Sequence, residues 1–169
     1  MPRPDLSRVP SYYHRYIDQV KGDDLAEALP FCQQELYSFL ESLPESRWDY
    51  AYAEGKWTIK ELVQHIIDAD RIFAYRALTF ARKDRTPLPG FEENDYANAS
   101  DANRRTAKSL LNELQTVQQA ALLLFNSFSE EQLAQEGIAN GNSVSVAAIG
   151  FIMAGHALHH LQILKERYA

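Results

Sequence analysis

A chain of 169 residues, 46% hydrophobic and 24% charged, has the length and balance of one globular domain over residues 1–169. Its net charge of −6 lacks the basic face that a phosphate backbone demands, and its one cysteine, Cys32, excludes an internal disulfide and cysteine-rich zinc modules. The opening "MPRPDLSRVPSYYHRY" lacks the apolar centre of a secretory signal, and no apolar run approaches the ~18 residues of a membrane span, so a cytoplasmic protein with no nucleic-acid or membrane partner is expected.

Few glycines and prolines occur, and the stretches between them have helical spacing. A short turn of helix is expected around Ser11 to Val20, then four main helices. The first spans about Asp24 to Leu43, with Phe31, Leu36, Phe39, Leu40 and Leu43 as its apolar face and Pro30 as a kink or a late start. An aromatic loop, residues 44–57, follows. The second helix spans about Thr58 to Arg82, and "TIKE" is a capping box with Thr58 at the N-cap and Glu61 three residues on. Residues 83–99, "KDRTPLPGFEENDYANA", form a loop longer than the ~2–8 residues that usually join bundle helices. The third helix spans about Ser100 to Phe128. The fourth spans about Ser143 to Tyr168, with Ser143 and Ser145 read as caps.

Three of the five histidines stand on helical seams. On the fourth helix, Ile149, Met153, His156, His160 and Ile163 are spaced 4, 3, 4, 3, which turns His156 and His160 inward one turn apart. His159 falls to the side. On the second helix, Leu62, His65, Ala69, Ile72 and Arg76 are spaced 3, 4, 3, 4 and place His65 on the seam. Unpaired polar groups in a core cost roughly 2–7 kcal/mol each, so the imidazoles need partners. A divalent metal is one answer, since three neutral histidines leave a fourth position open to a reactive water. Hydrogen bonds to tyrosines and carboxylates are the other.

Topology bears on the choice. His65 lies about two turns into its helix and His160 about two turns before the end of its own. They share a level only if those helices are antiparallel, as in up-down-down-up order. That order needs a long crossover between helices two and three, where the 83–99 loop lies.

Other residues are weaker candidates. Asp68 is a possible general base, fourth ligand or outer partner of an imidazole, against a surface carboxylate pairing with Arg71 or Lys60. Arg76 on the seam implies either an anionic substrate group or, as the commoner case, a structural ion pair. Trp57, Tyr75, Phe91 and Tyr96 are pocket candidates, against plain core filling. Cys32 reads as a small core residue, and His14 as a surface or packing histidine.

The segments "EGKWTIKELVQHIIDADRIFAYRAL" and "GHALHHLQILKERY", with the loop "PLPGFEENDYA", resemble the DinB/YfiT-like superfamily of metal-dependent enzymes over most of the chain. The resemblance implies an all-α four-helix bundle in up-down-down-up order, often a homodimer. It implies His65, His156 and His160 as metal ligands, zinc or nickel as the metal, and His159 outside the ligand set. The activity it implies is hydrolysis by activated water, or transfer from a low-molecular-weight thiol to a small molecule. A non-catalytic metal-binding or stress-related module and a helical interaction domain with an empty histidine cluster are the competing readings.

Overall fold

The structure, a computed structural model, describes residues 2–168. Four long helices form the bundle: α2 (Leu25–Ser42), α3 (Ile59–Ala81), α5 (Ala107–Asn126) and α7 (Val146–Ile163), the last ending in a π-helical turn over Leu164–Tyr168. Shorter elements are α1 (His14–Ile17), α4 (Glu93–Ala99), α6 (Glu130–Leu133) and an antiparallel hairpin of β1 (Glu136–Ala139) and β2 (Asn142–Ser145).

Order is up-down-down-up. The start of α2 packs on the start of α7, where Leu25 closes over Gly150, so these two run parallel. α3 runs against α7: the Tyr168 hydroxyl at the far end of α7 donates to Trp57 O, just before α3, at 2.7 Å. α3 and α5 run together, tied at their starts by Thr58 Oγ1 and Asn103 Oδ1 at 2.7 Å.

Caps and burial explain the boundaries. The Thr58–Glu61 capping box forms in both directions. α2 starts at Leu25 under an Asp24 cap and runs straight through Pro30. Its buried face is Leu25, Ala28, Leu29, Cys32, Leu36 and Leu40; Phe31, expected inside, is 59% exposed. Pro30 is the sixth helical residue, so one i→i−4 bond, to the Ala26 carbonyl, is forgone while the helix continues on either side of it. Ser145 caps α7 by accepting from Ala148 N at 3.1 Å, but Ser143 lies within β2, so the helix starts at Val146.

The stretch from α3 to α5 is no bare loop. Leu88 N donates to Ile138 O at 2.9 Å and Asn140 N to Leu88 O at 3.0 Å, stitching the crossover onto the hairpin. α4 and a 3₁₀ turn (Ala102–Arg104) follow, so α5 starts at Ala107 rather than near Ser100.

Over Val146–Tyr168 the chain is, contrary to expectation, long and apolar enough to cross a membrane by length and composition. Most of that window is buried within the bundle, because α2, α3 and α1 all pack on α7. A helix covered on several sides needs no polar face.

Candidate metal centre

α3 and α7 bring His65, His156 and His160 together, each buried. The Nε2 atoms of His65 and His156 stand 3.2 Å apart, and those of His160 and His156 3.0 Å. The i, i+4 pair comes from one face of α7; antiparallel packing brings His65 to the same depth. Trp57 lies against His65 with ring centres 4.9 Å apart, and Tyr16 of α1 against His156 at 5.6 Å.

Burial, with added repulsion between neighbouring imidazoles, drives all three towards the neutral form. His65 falls to about 4, and His156 and His160 fall well below the usual histidine range. Their Nδ1 atoms are buried without a hydrogen-bond partner. Three neutral rings crowded Nε2 to Nε2 cannot satisfy one another, since the single Nε2 site of His156 faces both others. Neutral imidazoles presenting converging lone pairs are what a cation requires. The 3.0–3.2 Å spacings are close to the ~3.3 Å edge of a tetrahedral sphere with Zn–N near 2.0–2.1 Å. The donor set fits a divalent ion.

The cluster forms the floor of a cavity of about 580 Å³. α3 supplies Phe73 and Arg76, with Trp57 just ahead of it; the crossover supplies Phe91, Glu92 and Glu93; the hairpin supplies Asn140 and Asn142. The N-terminal segment closes the mouth with Tyr12, Tyr13, Arg15 and Tyr16. Gly155 makes that closure possible: a Cβ there would lie 2.0 Å from the Tyr16 carbonyl oxygen, so only glycine lets α1 sit on α7. His159 lines the same cavity, its ring 5.2 Å from Tyr16. Burial, then the Arg15 charge, lower its pKa.

Of the sequence candidates, Trp57, Phe91 and Arg76 line this cavity. Asp68, Tyr75 and Tyr96 do not. Asp68 faces the groove that α3 forms with α4 and Arg105, where it accepts from Gln64 Nε2 at 2.9 Å. Three residues along α3 turn it ~60° away from His65. Of its expected surface partners, Arg71 pairs with Glu113 at 2.7 Å while its charge still favours the Asp68 carboxylate, and Lys60 pairs with Asp49 at 2.7 Å. Burial raises the Asp68 pKa. Tyr75 and Tyr96 are 60% and 46% exposed on the outer side of the crossover. Cys32 is buried in the core, its thiol pushed by burial up to about 11. His14 packs its Nε2 2.8 Å from Val9 O. The N-terminal tyrosines, Arg15, and the asparagines of the hairpin were not legible as site residues. The only signal for the tyrosines was aromatic density in "SYYHRY", and for the asparagines the "NG" at Asn140–Gly141.

An up-down-down-up bundle with a buried histidine triad at the floor of a cavity defines a metal-dependent enzyme-like fold. The chain belongs to the DinB superfamily, whose family model matches residues 28–164. It is 32% identical over 126 residues to an Oceanobacillus iheyensis protein named "Putative metal-dependent hydrolase", covering 73% of this chain and 72% of that one. In fold it is similar to YfiT from Bacillus subtilis, described as a "probable metal-dependent hydrolase with an unusual four-helix bundle topology" (TM-score 0.72, 16% identity, 98% of this chain and 90% of that one). It is also similar to the mycothiol-dependent maleylpyruvate isomerase (TM-score 0.69, 13% identity), where the match covers 81% of this chain and 58% of that one.

Proposed function

We propose that this protein is a metal-dependent enzyme acting on a small molecule, with zinc or nickel held by His65, His156 and His160. The observation that carries the reading is the place of the triad: three neutral imidazoles converge at the floor of a cavity of about 580 Å³, so a coordination position faces a space large enough for a substrate. A divalent ion there supplies Lewis acidity, lowering the pKa of a water or a thiol that reaches it. The chain's own residues do the rest. Trp57, Phe73 and Tyr16 exclude bulk water from the triad and offer flat apolar surface to a substrate. His159, partly exposed beside the triad and held towards its neutral form, is placed to take or give a proton at the cavity wall.

Hydrolysis by activated water and transfer from a low-molecular-weight thiol both suit three ligands and an open position. The curated relative's name favours the first; the isomerase neighbour's thiol dependence favours the second. A homodimer is the proposed assembly.

The test is metal content by mass spectrometry on untagged protein, with His160→Ala beside the wild type. The expected result is about one equivalent of zinc or nickel, lost in the variant, with a melting temperature lowered by chelator only in the wild type. No metal in either protein, and melting unmoved by chelator or added metal, would leave the triad as core polar groups and end the enzyme reading. With metal present, turnover in the absence of thiol selects the hydrolase; turnover requiring a low-molecular-weight thiol selects the transferase.

A further inference from the structure

Arg76 is 4% exposed and carries a charge that the fold leaves unanswered. Among the described residues no carboxylate lies within ion-pair distance of it, whereas the buried Lys60 at the start of α3 pairs with Asp49 and the half-buried Arg105 just ahead of α5 pairs with Glu113. The commoner explanation for a seam arginine, a structural ion pair, is therefore not what the structure contains. Its Nη2 donates to Pro89 O at 2.8 Å, and the Tyr13 hydroxyl lies beside it. A guanidinium has five N–H donors, and these neutral partners leave part of the fork open to the cavity that Arg76 lines. Burying such a charge without a counter-charge is costly, and burial lowers its pKa accordingly.

Its place in the cavity fixes what it can read. The guanidinium carbon and the His156 ring centre each lie 6.0 Å from the Phe73 ring centre, on a wall that all three line. Arg76 and the triad are thus within about 12 Å of one another across Phe73. Eleven residues of α3, about 16 Å of helical rise, separate His65 from Arg76, so a ligand touching both must be elongated, with an apolar middle over Phe73. The other charges on the lining are Arg15, stacked on Tyr12 and Tyr16 at the rim, and the exposed Glu92 and Glu93. One buried guanidinium against two rim acids and one rim base favours a single negative charge over a phosphate dianion.

We propose that the cavity takes an elongated small molecule with a carboxylate at one end, seated on Arg76, and its reacting end at the His65–His156–His160 triad. The reacting half rests on the metal-site reading above; the Arg76 half does not. Arg76 is on this view a specificity-determining residue.

The test uses octanoate and octan-1-ol on metal-free protein, and 8-mercaptooctanoate on zinc-loaded protein, read by calorimetry. Wild type, Arg76→Gln, Arg76→Lys and His160→Ala are compared, each first shown folded by its thermal melt. The expected result is that metal-free wild type prefers octanoate to octan-1-ol by about tenfold or more. That preference should vanish in Arg76→Gln, return in part in Arg76→Lys, and persist in His160→Ala. Zinc should tighten 8-mercaptooctanoate in the wild type and Arg76→Gln alike, and not in His160→Ala. Equal affinity for octanoate and the alcohol, a preference unchanged in Arg76→Gln, or no octanoate binding at millimolar concentration would each overturn the proposal. A zinc effect that is absent while the octanoate preference follows Arg76 would overturn the metal-site half and leave the carboxylate seat standing.

Discussion

Asp70 is the most exacting test of the packing at the centre of the bundle. It is 3% exposed on α3, at the level where the two apolar regions of the core meet, with Gln33 of α2 and Gln118 of α5 also buried there. Its Oδ2 has no hydrogen-bond partner, nor have the amide nitrogens of the two glutamines. Burial pushes its carboxyl up to about 7, with the nearby Gln118 side chain opposing. Against an unfolded value of ~3.9, this means that the fold prefers the protonated acid. The stabilising contribution is then complete below about pH 4 and is lost as pH rises through about 7. At ~1.36 kcal/mol per unit, the loss between pH 5 and pH 8 is roughly 2.5 kcal/mol. The histidines act with the opposite sign: His65, lowered to about 4, contributes stability present above its ordinary value of 6.5 and lost as pH falls towards 4. A raw pH profile mixes the two, so Asp70→Asn is compared with the wild type, which cancels the histidines. Urea unfolding of both proteins in excess chelator at pH 5 and 8 should show the variant gaining roughly 2.5 kcal/mol on the wild type as pH rises. A difference constant within about 0.5 kcal/mol over that range would refute a buried, protonated Asp70.

Three further substitutions or probes test separate links. Gly155→Ala should lose at least about 2 kcal/mol in urea unfolding despite alanine's better helix propensity, because its Cβ meets the Tyr16 carbonyl at 2.0 Å and a backbone atom has no rotamer to turn away; a neutral or stabilising effect would show that α1 does not rest on α7. Thr58→Ala should cost about 1 kcal/mol in the same assay, since the hydroxyl's half of the capping box, accepting from Glu61 N, is lost together with its contact to Asn103, while the Thr58 backbone N–H still donates to Glu61. Native Cys32, buried with its thiol near 11, should be inert to a disulfide reagent at pH 8 and react only as fast as the protein opens; prompt stoichiometric labelling would contradict the α2 packing.

The parts of the molecule that were legible in the sequence are those with a period. The 3- and 4-residue spacing set His65, His156 and His160 on inward faces, and matching depths along two helices implied antiparallel packing and hence a crossover. Both follow from one geometry: a seam position fixes an angle about the axis, and residue count fixes a height along it. Phe31 shows the limit of this reasoning. Apolar character without the right angle says nothing about burial, and α2 presents Ala28, Cys32 and Leu36 inward in its place.

What escaped was aperiodic. The hairpin over 136–145 turns at Asn140 and Gly141, both at positive φ, and "NG" between short strands is a strong hairpin signal that helical stretches on either side had overshadowed. The N-terminal segment gives no local clue that it returns to cover α7; only Gly155, a residue with no Cβ in the middle of a helix, marks where another backbone must come close. The helices therefore bring the imidazoles together, while the irregular segments decide what can reach them: Tyr13 and Pro89 beside Arg76, Glu92 and Glu93 at the rim, Asn140 against Gly90. The same triad on the same helices, fitted with a different crossover, hairpin and N-terminal arm, would meet a different ligand. Chemistry and specificity are thus carried by separate parts of this chain, and only the first has a repeat that sequence spacing can read.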